Sequence, residues 1–572
     1  MKVVIVGGVA GGATAAARIR RLDEAAEIIV FERSGYVSYA NCGLPYYIGG
    51  VIADPEELTL QTPESFYSRF RVAMKVRHEV TGIHPERKTV SVKNLETGEE
   101  FEEGYDKLIL SPGAKPTQPR LPGTGISKLF TLRTVEDTLR IKEHIDRHHP
   151  KSAILAGGGF IGLELAENLR ELGMEVAIVQ RPKQLMSPFD ADMAAMIHGE
   201  MRRHGVRLVL GQTVEGFAEK GDGVDVLLKD NEPLHADMVV LAIGVTPDTA
   251  LAREAGLELG IKDSIVVNDR METSVPDIYA AGDAVQVKHS VTGQDVLLSL
   301  AGPANKQGRI IADNICGGDS RYAGSQGSSV IKVFDMTAAV TGINETHGRK
   351  AGLDLDTVIL SPMSHAGYYP GGRVMTMKVV FEKGTYRLLG AQIVGYEGVD
   401  KRIDVLAAAI HAGMKATELK DLDLAYAPPY SSAKDPVNMA GFMIDNIAGG
   451  ILKQWHLEDV DALPRDGSVT LLDARTAGEY ARGHIRGFRN IPVDELRERL
   501  AEIEKGKPVY VICQSGLRSY IACRILEGQG YEAYNFSGGF RFYDAVRNDR
   551  RLVESAADCG MDILHNAECC PK

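Results

Sequence analysis

Short apolar runs that end in glycine turns recur along this chain. Lys2-Val3-Val4-Ile5-Val6 passes into Gly7-Gly8-Val9-Ala10-Gly11-Gly12, a helical stretch with a basic end, and a second apolar run closing on Glu32. Continuous apolar runs bounded by turn residues predict buried strands, so residues 1–32 predict a strand-helix-strand unit. The pattern returns in SAILAGGGFIGLELAENLRELGMEVAIVQR, where a strand leads into Gly157, Gly159 and Gly162, a helix carries Glu164, and a second strand runs from Val176 to Gln180. Further strands are predicted in YDKLILSPGAKP, which contains Gly113, and in TSVPDIYAAGDAV, which ends on Gly282-Asp283. Beyond about Gly449 the pattern changes. A strand ends on Asp473, a turn-rich return holds His484 and Asn490, VDELRERLAEIEKG predicts a helix, and the strand PVYVI runs into Cys513 with a helix starting near Ser519.

The two glycine turns have the spacing of dinucleotide fingerprints. Gly7 and Gly12 keep the first turn tight and the helix close to the sheet, with Gly8 and Gly11 flanking Val9 where the middle glycine would stand. Glu32 is placed to accept hydrogen bonds from a ribose diol, with Arg33 beside it. The second turn fills the full pattern with Gly157, Gly159 and Gly162, but its second strand ends on the neutral Gln180 followed by Arg181. A 2′-phosphate is therefore not excluded, and NADH is favoured over NADPH.

Composition narrows the partners. At roughly 150 residues per domain, 572 residues predict about four domains. Acidic residues outnumber basic ones, 77 to 65, for a formal charge of -12, and no basic run is interleaved with aromatics. Nucleic-acid and anionic-membrane partners are disfavoured, which leaves small molecules. The sequence enters a strand directly from Met1, without the pattern of a signal peptide, and no apolar run reaches the roughly 18 residues of a membrane span. Seven cysteines, odd in number and sparse, fit a reducing compartment, so a cytoplasmic protein is expected. Cys42 has no cysteine nearer than Cys316, and no metal site is expected. Cys316 and Cys523 read as structural, and Cys559, Cys569 and Cys570 receive no chemistry.

The order of parts, a glycine turn with Glu32, then Cys42, a second glycine turn and Gly282-Asp283, resembles the two-dinucleotide flavoprotein disulfide reductases across about residues 1–445. The resemblance implies FAD on the first unit, a nicotinamide nucleotide on the second, and Asp283 at the flavin ribityl and phosphate region. SYANCGLPYYIGG is similar to the single-cysteine branch, which includes coenzyme A-disulfide reductases, NADH-dependent persulfide reductases, NADH oxidases and NADH peroxidases. By that similarity Cys42 lies over the flavin, and Tyr368 and Tyr426 reach across a homodimer to the partner's cysteine. Ser38 and Asn41 then flank the substrate, while Thr14, Arg18 and Arg21 lie where coenzyme A phosphates bind. Residues of about 455–550 look like a single rhodanese domain, although C-x-x-x-x-R before a helix also describes a phosphatase loop. In a rhodanese Cys513 carries sulfane sulfur. A strand-to-helix turn aims that sulfur at backbone N–H groups and a helix dipole, with Arg518 adding charge.

The expected fold class is α/β: two Rossmann-like dinucleotide-binding domains and an α+β dimerisation domain, then an α/β rhodanese domain. The expected division is 1–150 for FAD, 151–270 for NAD(P)H, 271–325 again for FAD, 326–449 for dimerisation, 455–550 for the rhodanese and 551–572 for a tail. The expected activity is an FAD- and NAD(P)H-dependent reductase of coenzyme A persulfide, polysulfide or coenzyme A disulfide. The alternatives are an NADH peroxidase or oxidase cycling a cysteine sulfenic acid, and a non-catalytic sulfur-trafficking redox sensor.

Overall fold

The computed structural model describes residues 1–558; Cys559, Cys569 and Cys570 lie outside them. The described chain divides into two units, one formed by residues 1–183 and 205–327, the other by residues 184–204 and those from 328 onward.

The first unit holds two five-stranded parallel sheets. In one, Lys2–Val6 is flanked by Glu27–Glu32 and Lys107–Leu110, with Ala73–Val76 and Ile278–Ala280 at the edges. In the other, Ser152–Ala156 is flanked by Glu175–Gln180 and Met238–Leu241, with Arg207–Leu210 and Leu129–Thr131 outside. In both, the chain winds outward from the central strand, Lys2–Val6 or Ser152–Ala156, and then crosses to its other side. The carboxyl end of that central strand is thus a switch point, where open parallel sheets bind ligands, and each glycine turn starts there. The apolar runs Val3 to Val6 and Ala153 to Ala156 are buried on both faces, which is why the sequence shows no alternation.

In the second unit, Ser329–Val333, Met336–Gly342, Leu388–Gly395, Thr376–Glu382 and Leu355–Leu360 form an antiparallel sheet in that order, with Leu355–Leu360 at one end. The helix Ala191–Arg203 packs in this unit, although chain order places it inside residues 151–270, the stretch expected to bind the nicotinamide nucleotide. A buried cation holds it there. Lys378, 2 % exposed, lies 2.8 Å from Asp192, 3.1 Å from Asp190 and 2.8 Å from Glu345. Against the desolvation of the site, these three carboxylates raise the pKa of Lys378 and keep it charged.

The same unit carries a parallel sheet in the order Gln454–Trp455, Ala533–Phe536, Val509–Ile512, Thr470–Asp473, Arg489–Asn490. The helix expected over VDELRERLAEIEKG is absent: the segment forms turns and one short 3-10 turn, Leu500–Glu502. Its apolar residues Leu496 and Ile503 are buried, while Arg499 pairs locally with Glu495 and Glu502. The helical spacing of these residues is met by a tighter, irregular chain. Polar contacts tie this sheet's domain to the antiparallel one. Gln454 Nε2 donates to the Thr357 carbonyl at 2.8 Å, the Ile359 N–H donates to Ser537 Oγ at 3.0 Å, and His456 Nε2 lies 3.1 Å from Asp356. On the long final helix, Gly539–Asp558, Asp549 accepts from His198 Nδ1 at 2.8 Å and from Arg202 at 2.5 Å. His198 Nε2 accepts from the Leu185 N–H, which fixes the proton on Nδ1.

Candidate functional site

The first glycine turn is shaped by close backbone approach. Gly7 has φ +99°, and a Cβ there would come within 2.1 Å of the Ser111 carbonyl oxygen; one on Gly12 would come within 1.9 Å of the Gly7 carbonyl oxygen. No side chain fits at either position. The Gly8 N–H donates to Glu32 Oε2 at 2.9 Å, and the Ser34 N–H to Glu32 Oε1 at 2.8 Å, so the carboxylate is held at the mouth of the turn. Burial, opposed by these two bonds, raises the pKa of Glu32. Glu32 and Arg33 line a cleft of roughly 300 Å³ together with Gly7, Pro112 and Asp248, and Arg33 is anchored on Asp248 at 2.8 Å. Gly11 packs in the same helix start, and Gly113 (φ +70°) and Gly282 (φ +81°) place two further left-handed turns in this domain. Asp283 accepts from Arg133 Nη2 at 2.5 Å. Arg133 is absent from the sequence reading because nothing in its local pattern marks it.

The second turn repeats the arrangement. Gly157 (φ +120°) and Gly162 are barred from carrying side chains by the Ala242 and Gly157 carbonyls, while a Cβ on Gly159 would point into open space, as the close approach of a pyrophosphate requires. The Gly158 N–H donates to Gln180 Oε1 at 3.1 Å, the neutral counterpart of the bond from Gly8 to Glu32. Arg181 is exposed beyond it, with no ion pair among the described residues. Both cradles therefore fit dinucleotides.

Cys42 is exposed in the short 3-10 turn Asn41–Gly43, followed by the helix Leu44–Ile48, whose Leu44 and Ile48 are fully buried anchors. Ser38, held at φ +48°, ties this loop to the glycine turn through its N–H on the Gly8 carbonyl at 2.9 Å. Partial burial raises the pKa of the Cys42 thiol; Glu164 and Asp283 push the same way and Arg133 opposes them. Glu164 itself is pushed up to about 7, first by burial and then by Glu167. Near neutral pH it is thus a carboxyl able to take or give a proton within electrostatic reach of the sulfur. The Asn41 side-chain oxygen is buried without a hydrogen-bond partner. On the first helix Thr14 Oγ1 bonds Asn305 at 2.5 Å, Arg18 is paired with Asp313 at 2.8 Å, and Arg21 stands exposed.

In the second unit Tyr368 and Tyr426 join through their hydroxyls at 2.7 Å, although they lie 58 positions apart. Tyr368 is 75 % exposed, and Tyr430, 71 % exposed, belongs to the same chain region. The hydrogen bond shared with Tyr368 raises the pKa of Tyr426.

Cys513 is fully buried at the end of its strand. Its Sγ accepts from the Gly516 N–H at 3.1 Å and lies 3.2 Å from Ser519 Oγ, and the helix Leu517–Gly528 starts beside it. Arg518 does not stand free at the sulfur. It makes a two-pronged ion pair with Glu479, both contacts 2.7 Å, which holds the Glu479 carboxyl down to about 2. Beneath the loop, Arg475 is clamped on Asp473, reaches Gln514 at 3.4 Å, and stacks over Phe540. Glu479, Arg475 and Ser519 belong to the site but not to the sequence reading, since each becomes recognisable only through its spatial partner. Asn490 donates to the carbonyls of Asp473 and Arg475, a structural brace, and His484 stacks on Tyr480.

Comparison with known proteins agrees with this geometry. Residues 1–308 match the pyridine nucleotide-disulphide oxidoreductase family, residues 328–436 the dimerisation domain of that family, and residues 456–545 the rhodanese-like domain. A coenzyme A disulfide reductase of Staphylococcus aureus (strain JH9) is 38% identical over 442 residues, covering 77% of this chain and 99% of the relative. The crystal structure of reduced Bacillus anthracis CoADR-RHD superposes with a TM-score of 0.94 at 48% identity, covering 96% of this chain and 98% of the other. A NAD-dependent persulfide reductase from A. fulgidus follows with a TM-score of 0.89 at 38% identity, covering 95% and 100%. With two dinucleotide cradles, an exposed cysteine beside the first of them and a buried cysteine loop near the far end, the chain belongs to the pyridine nucleotide-disulphide oxidoreductases, in their coenzyme A-disulfide and persulfide reductase branch, with a rhodanese domain at its C-terminal side.

Proposed function

We propose that the chain reduces coenzyme A persulfide, polysulfide or coenzyme A disulfide with electrons from NAD(P)H, and that its rhodanese domain supplies or accepts sulfane sulfur. The observation that carries this reading is the pairing of two sulfur sites in one chain, exposed Cys42 and the buried Cys513 loop. A peroxidase or oxidase has no use for the second.

In this reading Gly7, Gly8, Gly11, Gly12, Glu32, Arg33, Gly113, Gly282 and Asp283 hold FAD, and Gly157, Gly159, Gly162 and Gln180 hold the nicotinamide nucleotide. FAD, when bound, would supply the two-electron chemistry that links the nicotinamide to sulfur. Ser38 and Asn41 position the substrate beside Cys42. The Cys42 thiolate attacks the outer sulfur of R–S–SH, the S–S bond breaks, RS⁻ leaves, and Cys42 holds a persulfide. Two electrons then release HS⁻ and return the thiolate. With R–S–S–R the same attack gives a mixed disulfide and one RS⁻, and two electrons release the second. Thr14, Arg18 and Arg21 are the candidates for the coenzyme A phosphates, with exposed Arg21 the readier of the two cations. The homodimer follows from the dimerisation-domain match, and the exposed hydroxyl pair of Tyr368 and Tyr426 then serves the partner's cysteine as proton donor. No described helix is long and apolar enough to cross a membrane, and the free thiols fit a cytoplasmic setting.

NADH is the favoured donor, and Arg181 keeps NADPH admissible. Arg181→Ala is expected to weaken NADP⁺ binding roughly tenfold, the worth of one charge-assisted phosphate contact, and to leave NAD⁺ nearly unchanged. Titration of both nucleotides by calorimetry checks this; equal losses for the two would remove Arg181 from 2′-phosphate recognition. The proposed activity itself is tested by following NADH consumption with coenzyme A persulfide, coenzyme A disulfide, peroxide and oxygen in parallel. Turnover with the first two should dominate. Peroxide or oxygen outpacing them would transfer the chain to the oxidase reading.

A further inference from the structure

We infer that the rhodanese site takes persulfides whose sulfur carries an uncharged arm in preference to the thiosulfate dianion, and that Glu479 sets this choice by cancelling the charge of Arg518. This rests on the reading of that domain as a sulfane-sulfur carrier.

The position of the reacting sulfur limits how much charge the site can take. Cys513 is fully buried in an apolar cluster with Leu472, Ala474, Val511 and Ala522. A donor that reaches it leaves most of its water behind, and a desolvated anion is costly unless a cation meets it. Two cations stand at the loop, but both are taken. Arg518 gives both prongs to Glu479 at 2.7 Å, and Arg475 is clamped on Asp473 by contacts of 2.7 and 3.0 Å. Each guanidinium is matched by its own carboxylate, so neither pair leaves net positive charge for a ligand. The loop residues around them, Gln514, Ser515 and Leu517, are neutral, and Leu517 is 61 % exposed. Arg541 borders the loop through its N–H on the Gln514 carbonyl at 3.2 Å, yet it is exposed, where water and salt screen its charge.

The two donor classes load this sulfur by the same displacement but with different charge. With R–S–SH, the Cys513 thiolate attacks the outer sulfur, a new S–S bond forms on Cys513, the donor's S–S bond breaks, and RS⁻ leaves with the electron pair. A single negative charge is present throughout. With thiosulfate the thiolate again attacks the outer sulfur, the bond to the sulfonate sulfur breaks, and sulfite leaves as a dianion, with Cys513 left as the persulfide anion. Three negative charges then share a site that excludes water and offers no unmatched cation. Neither displacement is a net oxidation, so charge rather than redox balance separates the donors. An uncharged pantetheine arm keeps the phosphates of coenzyme A away from the sulfur, which puts coenzyme A persulfide in the first class.

The test uses the full-length flavoprotein without NADH. It is mixed with thiosulfate or with the persulfide of N-acetylcysteamine, a small uncharged thiol, and the gain of one sulfur on the Cys513 peptide is followed by mass spectrometry. The wild type is expected to load from the alkyl persulfide about a hundredfold faster than from thiosulfate. Glu479→Gln leaves Arg518 unmatched and should shift the ratio of the two rates roughly tenfold toward thiosulfate, the worth of one charge-assisted contact. Glu479→Asp keeps the carboxylate and should hold the wild-type ratio. Leu517→Lys adds a cation at an exposed position without disturbing the ion pair, so it should shift the ratio in the same direction even if Glu479→Gln fails to fold. Equal loading by both donors in the wild type, or an unchanged ratio in Glu479→Gln or Leu517→Lys, overturns the inference and leaves the carrier reading standing. If neither donor loads Cys513, the carrier reading itself falls, and the inference with it.

Discussion

Cys42→Ser is expected to abolish turnover with every sulfur substrate, by a factor of a thousand or more as is usual on loss of a nucleophile, while NADH still bleaches the bound flavin in the absence of oxygen. The separation follows from the geometry. The nucleotide cradles are built from Gly7, Glu32, Gly157 and Gln180, and neither depends on the Cys42 sulfur. Serine at this exposed position in the short turn Asn41–Gly43 changes little in packing, because the loop is anchored by buried Leu44 and Ile48 and by the Ser38 N–H. Its hydroxyl is no nucleophile toward sulfur at neutral pH. Rapid-mixing absorbance of the flavin and steady-state NADH consumption on the same preparation are the two measurements. Turnover within tenfold of wild type would move the chemistry to another residue.

Cys513→Ala is expected to remove sulfur transfer from a protein-bound or thiosulfate donor altogether, yet to leave reduction of preformed coenzyme A persulfide at the wild-type rate. Cys513 is enclosed by its own loop, with donors, ion pairs and braces all drawn from residues 473–540. Its chemistry is complete without Cys42, just as Cys42 has its own proton partner candidate in Glu164. Two self-contained sites exchange sulfur most simply through a diffusible thiol, and coenzyme A, with its long flexible arm, is suited to that role. The variant is assayed once with a sulfane-sulfur donor and once with the free persulfide. Collapse of both activities to the level of Cys42→Ser, with the flavin intact, would make the two cysteines one obligatory relay.

The parts of this molecule that were legible in its sequence are those in which backbone geometry dictates residue type over a short span. A glycine turn that no side chain can enter must be written as glycine, so Gly7, Gly12, Gly157 and Gly162 mark their folds directly. Buried parallel strands must be apolar throughout, and Cys513 stands out because a strand runs straight into it. What stayed hidden depends on contacts between distant positions. Asp549 meets His198 across 351 positions and Arg133 meets Asp283 across 150. Glu479 looks like the third residue of an ordinary helix cap, a role it also fills with Thr476, and only the fold reveals its grip on Arg518. The segment after Pro492 misleads for the converse reason, because helical spacing of apolar residues is also satisfied by successive turns over a curved core.

The contacts between the rhodanese domain and the antiparallel sheet bear on how far this fusion can be taken apart. Leu355–Leu360 is the terminal strand of that sheet, and its outward backbone groups, the Thr357 carbonyl and the Ile359 N–H, are capped by Gln454 and Ser537. An open strand of sequence Leu-Asp-Thr-Val-Ile-Leu, with unpaired N–H and C=O groups, is a template for pairing with another chain. The second domain thus also works as an edge cover. Cutting the chain before Gln454 would not yield two independent cassettes, but a reductase half with an exposed sticky strand and a tendency to assemble edge to edge.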